Sequence, residues 1–270
     1  MTKIVITGSQ GRIGQALLAT APQFPQLEIV GKIDLDDDLN TIISRCDVVI
    51  DFSFHRATLD FAKICARNRK AMVIGTTGHT NAEKTQILNL KSQIPIVWSS
   101  NYSIGVNALF GLVRQMAKTL GPEFDIEILE MHHKHKKDAP SGTAKTFFEI
   151  LKEVREEQLE RHVTAKQGRP EGIVGERDQA EIGIHSMRGG DVICDHTVIF
   201  AAPGDVVELK QRATSRETFA RGALQAASWV VRQNPGLYDM QDVLGLNESH
   251  SQRNDERYYA ASPAHVLVPH

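Results

Sequence analysis

The amino-acid sequence predicts an α/β chain: a doubly wound parallel sheet at the N-terminus, then an α+β domain whose sheet is antiparallel or mixed. Three observations carry this. Short β-branched runs alternate with helical periods over the first hundred residues. Several of those runs are almost wholly apolar, as strands covered on both faces must be. After Gly121-Pro122 the rhythm changes to consecutive strands joined by short turns, which a βαβ alternation does not produce.

In order, the expected strands of the first part are Ile4–Thr7, Glu28–Ile33, Val48–Phe52, Ala71–Ile74 and Pro95–Trp98, with helical patterns at Arg12–Thr20, Ala57–Asn68 and Asn81–Ser92 between them. Ser103 reads as the N-cap of a helix that runs to Leu120 and stops at Gly121-Pro122. Strand Asp125–His132 and a helix from Gly142 to about Gln158 follow. Gly168–Gln179, rich in glycine and charge, reads as a loop. Strands are then expected at Glu181–Met187, Val192–Phe200 and Val206–Arg212, and a last helix at Glu217–Gln233, whose apolar face suits packing back on the first domain. The expected division is 1–103 with 214–246 as a dinucleotide-binding domain, 104–213 as a substrate-binding and oligomerisation domain, and 247–270 as a disordered or accessory tail.

Composition narrows the function. The formal net charge of −2 makes no electrostatic case for nucleic acid or an anionic membrane surface. No run approaches the roughly 20 apolar residues that span a bilayer. The chain opens on a strand-like Lys3-Ile4-Val5-Ile6 with no signal-peptide pattern. Cys46, Cys65 and Cys194 are far apart and lack metal spacing, so they read as buried free thiols in a reducing compartment. A cytoplasmic protein is expected.

Gly8-Ser9-Gln10-Gly11-Arg12-Ile13-Gly14 lies between the first strand and the first helix. This G-x-x-G-x-x-G spacing permits a tight turn at Gly8, close approach of a pyrophosphate at Gly11, and close helix–strand packing at Gly14. Asp34, at the end of the second strand, is placed for ribose hydroxyls. The bland alternative is an ordinary βα turn, but strand, glycines, helix and acid together favour a dinucleotide. The acidic run Asp36-Asp37-Asp38 reads either as a solvated loop or, if it lies near the 2′ position, as a feature that disfavours a 2′-phosphate and favours NADH, with Arg12 a partial offset. Gly75-Thr76-Thr77-Gly78 and Ser99-Ser100-Asn101-Tyr102 follow the fourth and fifth strands, at the carboxyl edge where such folds bind ligands.

The most unusual stretch is Glu130 to Ala144, E-M-H-H-K-H-K-K-D-A-P-S-G-T-A. Glu130 and His132 share a face of the strand, so the acid can orient the imidazole. Lys136 lies past the strand end within reach of the same space. Ser141-Gly142-Thr143 opens a helix, whose first backbone N–H groups suit a carboxylate. A zinc site from His132, His133 and His135 is disfavoured, because adjacent histidines on a strand face opposite ways; no metal is expected. A solvated charged loop is the other reading.

In these motifs the chain resembles the 4-hydroxy-tetrahydrodipicolinate (dihydrodipicolinate) reductase family over about residues 3 to 246. The resemblance rests on G-S-Q-G-R-I-G, G-T-T-G, S-S-N-Y-S-I-G-V-N, the Glu130–Ala144 motif, M-R-G-G-D-V-I-C-D-H-T and Y-D-M-Q-D-V-L-G-L-N. It implies an N-terminal Rossmann domain, a C-terminal domain with an open mixed sheet, a homotetramer, and reduction of a cyclic imine dicarboxylate with NADH or NADPH in diaminopimelate and lysine biosynthesis. It also implies His132 and Lys136 as proton donors; His133, Gly142 and Thr143 as substrate-binding residues; and Gly8, Ser9, Gln10, Gly11, Arg12, Ile13, Asp34, Gly75, Thr76, Thr77, Ser99, Ser100, Asn101 and Tyr102 as cofactor positions. Leu35 departs from the basic residue many members carry after the ribose acid. Alternatives are a dehydrogenase acting on a semialdehyde or amino acid, and a nucleotide-sensing protein that has lost catalysis.

Overall fold

The structure is a computed structural model, described here for residues 1–246; the expected tail at 247–270 lies outside the described residues. The first sheet is all parallel, in the order β11-β5-β4-β3-β1-β2. Its strands are β1 (Thr2–Thr7), β2 (Leu27–Ile33), β3 (Val48–Asp51), β4 (Ala71–Ile74), β5 (Pro95–Trp98) and the short β11 (Gly236–Tyr238). The apolar runs are explained by coverage on both faces. Ile4, Ile6, Val48, Ile50, Val73 and Val97 point to one side, under α1 (Arg12–Thr20) and α6 (Glu217–Val230). Val5, Val49, Met72, Ile74, Ile96 and Trp98 alternate to the other, under α2 (His55–Arg67) and α3 (Asn81–Leu88).

Helix α4 (Ile104–Leu120) leads into the second sheet, and Ser103 caps it as expected, its hydroxyl accepting from the Val106 N–H at 3.3 Å. This sheet has the order β10-β9-β6-β8-β7, built from β6 (Asp125–His132), β7 (Thr164–Gln167), β8 (Glu181–Arg188), β9 (Cys194–Ala202) and β10 (Asp205–Ala213). It is mixed: β6 pairs parallel with β8 and antiparallel with β9. One face carries Ile126, Ile128, Ile182, Ile184, Val198 and Phe200 against α4 and α5 (Gly142–Leu159). The strict alternation of β6 leaves Asp125, Glu127, Leu129 and Met131 half-exposed on the other face.

Three elements were not expected. Strand β7 reads T-A-K-Q with every residue exposed, so it carries no apolar signal. Strand β11 is three residues long, and α7 (Met240–Val243) is one turn held by an Asp239–Asp242 capping box. Strand β9 also starts at Cys194 rather than Val192.

Candidate active site

The cleft lies between the carboxyl edge of the first sheet and the end of β6. On the first side the glycine turn is defined by what it excludes. Gly8 has φ +71°, and a Cβ on Gly14 would stand 2.1 Å from the Gly8 carbonyl oxygen. Helix α1 therefore starts hard against the turn, with Gly11 as an N-cap that offers no side chain. The backbone N–H groups of Arg12 and Ile13 have no acceptor among the described residues. Asp34 braces the loop, accepting from the Gln10 N–H at 2.8 Å and the Leu35 N–H at 3.0 Å.

Beside this turn, Phe52 fills the space over Gly75; a Cβ there would meet the ring at 2.1 Å. Its neighbour in the chain, Asp51, is a fully buried carboxylate. Asp51 accepts from the hydroxyls of Thr7 at 2.6 Å, Thr58 at 2.7 Å and Thr76 at 2.9 Å, and from Ser53. The Thr76 side chain is thus turned inward to the strand ends, away from the cleft. The Tyr102 hydroxyl is likewise committed to the carbonyls of Ile74 and Val97.

On the second side, the chemistry sits on the last turn of the β6 pleat. Glu130 is wholly buried and grips His132 Nδ1 at 2.5 Å. Arg188, at the end of β8, closes on the same carboxylate with two bonds of 2.8 and 2.9 Å. Burial pushes the Glu130 carboxyl up, but the hydrogen bonds of His132, Arg188 and Ser186 outweigh it and hold it far below the usual range. His132 is thereby held through Nδ1 on the acid, as the shared strand face allows, and its Nε2 has no hydrogen-bond partner among the described residues. Lys136 reaches the same space and pairs with Asp138 at 2.8 Å. Burial raises the Asp138 carboxyl, yet the Lys136 hydrogen bond and charge leave it lowered overall.

Helix α5 points its N-terminus into this cluster. Ser141 caps it, its hydroxyl accepting from the Ala144 N–H, while the Ser141 N–H donates to Glu130. The N–H groups of Gly142 and Thr143 are left without an acceptor among the described residues. The Thr143 hydroxyl is held by Asn101 at 3.0 Å, and Ser100 meets Thr146, so the two sheets' ends are stitched together here. His133 spans the cleft, with Nε2 3.1 Å from Arg12 and its buried Nδ1 without a hydrogen-bond partner among the described residues. Burial, then the charges of Arg12 and Arg216, lower its pKa.

A cavity of about 240 Å³ joins these groups. Of the expected residues, Arg12, Ile13, Gly75, Thr77, Ser100, Asn101, Tyr102, His132, His133, Lys136, Gly142 and Thr143 line it. Gly8, Ser9, Gln10, Gly11, Asp34, Thr76 and Ser99 do not; they shape or brace its rim. Sequence reasoning missed Arg188, Arg216, Phe52, Cys194 and His196. His196 lies on β9 with its ring 5.2 Å from that of His132, and burial followed by the charge of His132 lowers its pKa to about 3. All of these except Phe52 and Arg216 sit in the M-R-G-G-D-V-I-C-D-H-T stretch, the available signal.

A family profile for the dihydrodipicolinate reductase N-terminus matches residues 2–102, and one for the C-terminus matches residues 105–244. The chain belongs to the dihydrodipicolinate reductase family. It is 50% identical over 248 residues to a 4-hydroxy-tetrahydrodipicolinate reductase of Akkermansia muciniphila, covering 92% of this chain and all of that one. It is 41% identical to the protein of the same name from Geobacter sulfurreducens, over 91% of this chain and all of the other. A solved dipicolinate-bound dihydrodipicolinate reductase from Paenisporosarcina sp. superposes with a TM-score of 0.71 at 25% identity, covering 90% and 99% of the two chains. The reductase family binds NAD(P) on its Rossmann domain, and the residues here fit that group: a side-chain-free cap and two N–H groups at the positive end of α1 that have no acceptor among the described residues.

Proposed function

We propose that this chain catalyses NAD(P)H-dependent reduction of 4-hydroxy-tetrahydrodipicolinate, by way of its dehydrated cyclic imine, to tetrahydrodipicolinate. The observation that carries the reading is the convergence of two unengaged helix amides, Gly142 and Thr143, with Lys136 and an acid-oriented His132 in one cleft at the Rossmann edge. The first domain, 1–103 with 214–246, holds the nucleotide; 104–213 holds the substrate.

NAD(P)H held at the glycine turn would supply a hydride for the conjugated carbon of the substrate ring, with the ring nitrogen as the electron sink. The Gly142 and Thr143 N–H groups, aided by the α5 dipole, hold one substrate carboxylate. His133, which lines the same cavity, is a further polar contact for the substrate. One proton then balances the hydride. Lys136 Nζ and His132 Nε2 are the donors, each acting as a cation that also steadies charge as it develops. Asp138 steers the lysine, and Glu130 fixes the tautomer and orientation of the histidine.

The half-exposed face of the second sheet supports a homotetramer. No helix among the described residues is long and apolar enough to cross a membrane, and the three cysteines are buried and free, which supports a cytoplasmic site of action. Loss of NADH or NADPH absorbance in the presence of the product of the preceding synthase tests the reading. Oxidation of either nucleotide is expected. No oxidation with either, alongside intact nucleotide binding, would leave the nucleotide-sensing alternative.

A further inference from the structure

The register of the second sheet brings three metal-type donors to the floor of the cleft. In the antiparallel β6–β9 pair, Glu130 stands opposite His196 and Met131 opposite Asp195. His132 and Cys194 are the next residues beyond the last pair. Donor atoms of His132, Cys194 and His196 all lie within 4.8 Å of one another, and all three side chains are buried. Zinc binds thiolate at about 2.3 Å and imidazole at about 2.0–2.1 Å. Side-chain movements of about 1 Å bring these donors onto a tetrahedral ion at those lengths. The set shares only His132 with the three-histidine arrangement weighed from the sequence.

The outer shell distinguishes this trio from a chance cluster. Metal-bound histidines are commonly fixed through their second nitrogen. His132 holds Nδ1 on Glu130, leaving Nε2 available. His196 has Nε2 3.1 Å from the Ser141 hydroxyl, leaving Nδ1, which lies 3.1 Å from Cys194 Sγ. The Ser141 hydroxyl also accepts from the Ala144 N–H as a helix cap, and in the tautomer that suits a metal His196 Nε2–H donates to it while Cys194 S–H donates to Nδ1. A metal ion takes the place of that one shared proton. Cys194 and His132 both line the cavity, so the site has an entry path and an open fourth position.

We propose that His132, Cys194 and His196 form a three-ligand site for a soft divalent cation of the zinc class, and that filling it removes His132 from proton transfer. Binding forms a metal–sulfur and two metal–nitrogen bonds and releases the Cys194 proton to solvent. The inhibition rests on the catalytic role proposed for His132; the binding does not.

The test uses the full chain, stripped with a chelator and titrated with cobalt(II). One equivalent is expected to give tetrahedral visible bands and a thiolate-to-cobalt charge-transfer band, both displaced by zinc. Cys194→Ser should lose the charge-transfer band. Ser141→Ala should keep it with affinity lowered about 10- to 100-fold, as loss of an outer-shell partner does. Absence of the band in the wild-type protein, or its survival in Cys194→Ser, would overturn the site. Zinc is also expected to stop turnover at the concentration that fills the site, with a chelator restoring it. Full turnover with the site filled would overturn the inhibitory half and with it the role given to His132, while the cobalt spectrum would still stand for the site itself.

Discussion

The two walls of the cleft are built by opposite means. The first-domain wall is backbone: Gly8, Gly11 and Gly14 make a shape that depends on missing side chains, and the donors it offers are the N–H groups of Arg12 and Ile13. The second-domain wall is side chains: a buried carboxylate, a bidentate arginine, an oriented histidine and a lysine, drawn from β6, β8 and the loop before α5. A wall of the first kind fails sterically, when an atom is added. One of the second kind fails electrostatically, when a partner is taken away. Each substitution below sets one mode against the other.

The largest effect is expected from adding one carbon to the first wall. In Gly14→Ala the new Cβ stands 2.1 Å from the Gly8 carbonyl oxygen and 2.7 Å from the Ser9 Cα, both backbone. A loss of about 3 kcal/mol or more is expected in urea unfolding. A loss below about 1 kcal/mol would mean that the turn gives way, and the steric account would fail.

Removing a partner from the second wall should cost nearly as much. Arg188→Leu takes the guanidinium from Glu130, a carboxylate with no exposed surface that keeps only its His132, Ser186 and Ser141 hydrogen bonds, and a loss of about 3 kcal/mol is expected from breaking this buried ion pair. The sharper measurement is the double variant Glu130→Leu with Arg188→Leu. Replacing both partners by apolar groups is far milder, so it should be more stable than Arg188→Leu alone. Additive losses would show that packing, not charge, holds this wall.

Chemistry should separate from binding on the same wall. His132→Ala and Lys136→Ala are each expected to lower kcat about 10²-fold, the usual contribution of a positioned proton donor. NADH affinity, carried by the other wall, should stay within about twofold. Single-turnover kinetics with a parallel binding titration checks both; equal turnover in either variant would remove that residue from the mechanism.

The same contrast explains what could be read from the sequence. A backbone wall advertises itself, because its glycines and the following helix are contiguous: G-x-x-G-x-x-G between a strand and a helix is legible from the sequence alone. The parity of Glu130 and His132 on β6 was legible for the same local reason, as was Ser141-Gly142-Thr143 as a helix start. Arg188 and His196 were not, since their closeness to Glu130 and His132 depends on which strands neighbour β6. The alternation of each strand is local, but the order β9-β6-β8 is not. Asp34 was read for a ribose from its position alone; its hydrogen bonds to the Gln10 and Leu35 amides, invisible in sequence, make it a brace of the glycine loop as well.

The smallest change is the most discriminating. Gly11 differs from its two neighbours in the motif, because a Cβ there would meet only the Gly8 carbonyl oxygen at 3.1 Å, and its φ of −68° suits any residue. The fold does not require glycine at this position. In Gly11→Ala the chain should therefore lose less than about 1 kcal/mol, since the lower entropy of the unfolded chain offsets the poorer cap. The new methyl group nonetheless stands at the mouth of α1, beside the Arg12 and Ile13 amides where a pyrophosphate must come close. NADH affinity is expected to fall about tenfold or more, by about 1.4 kcal/mol, with urea unfolding almost unchanged. If affinity holds, the pyrophosphate does not approach the chain at Gly11, and the first wall is a turn rather than a binding surface.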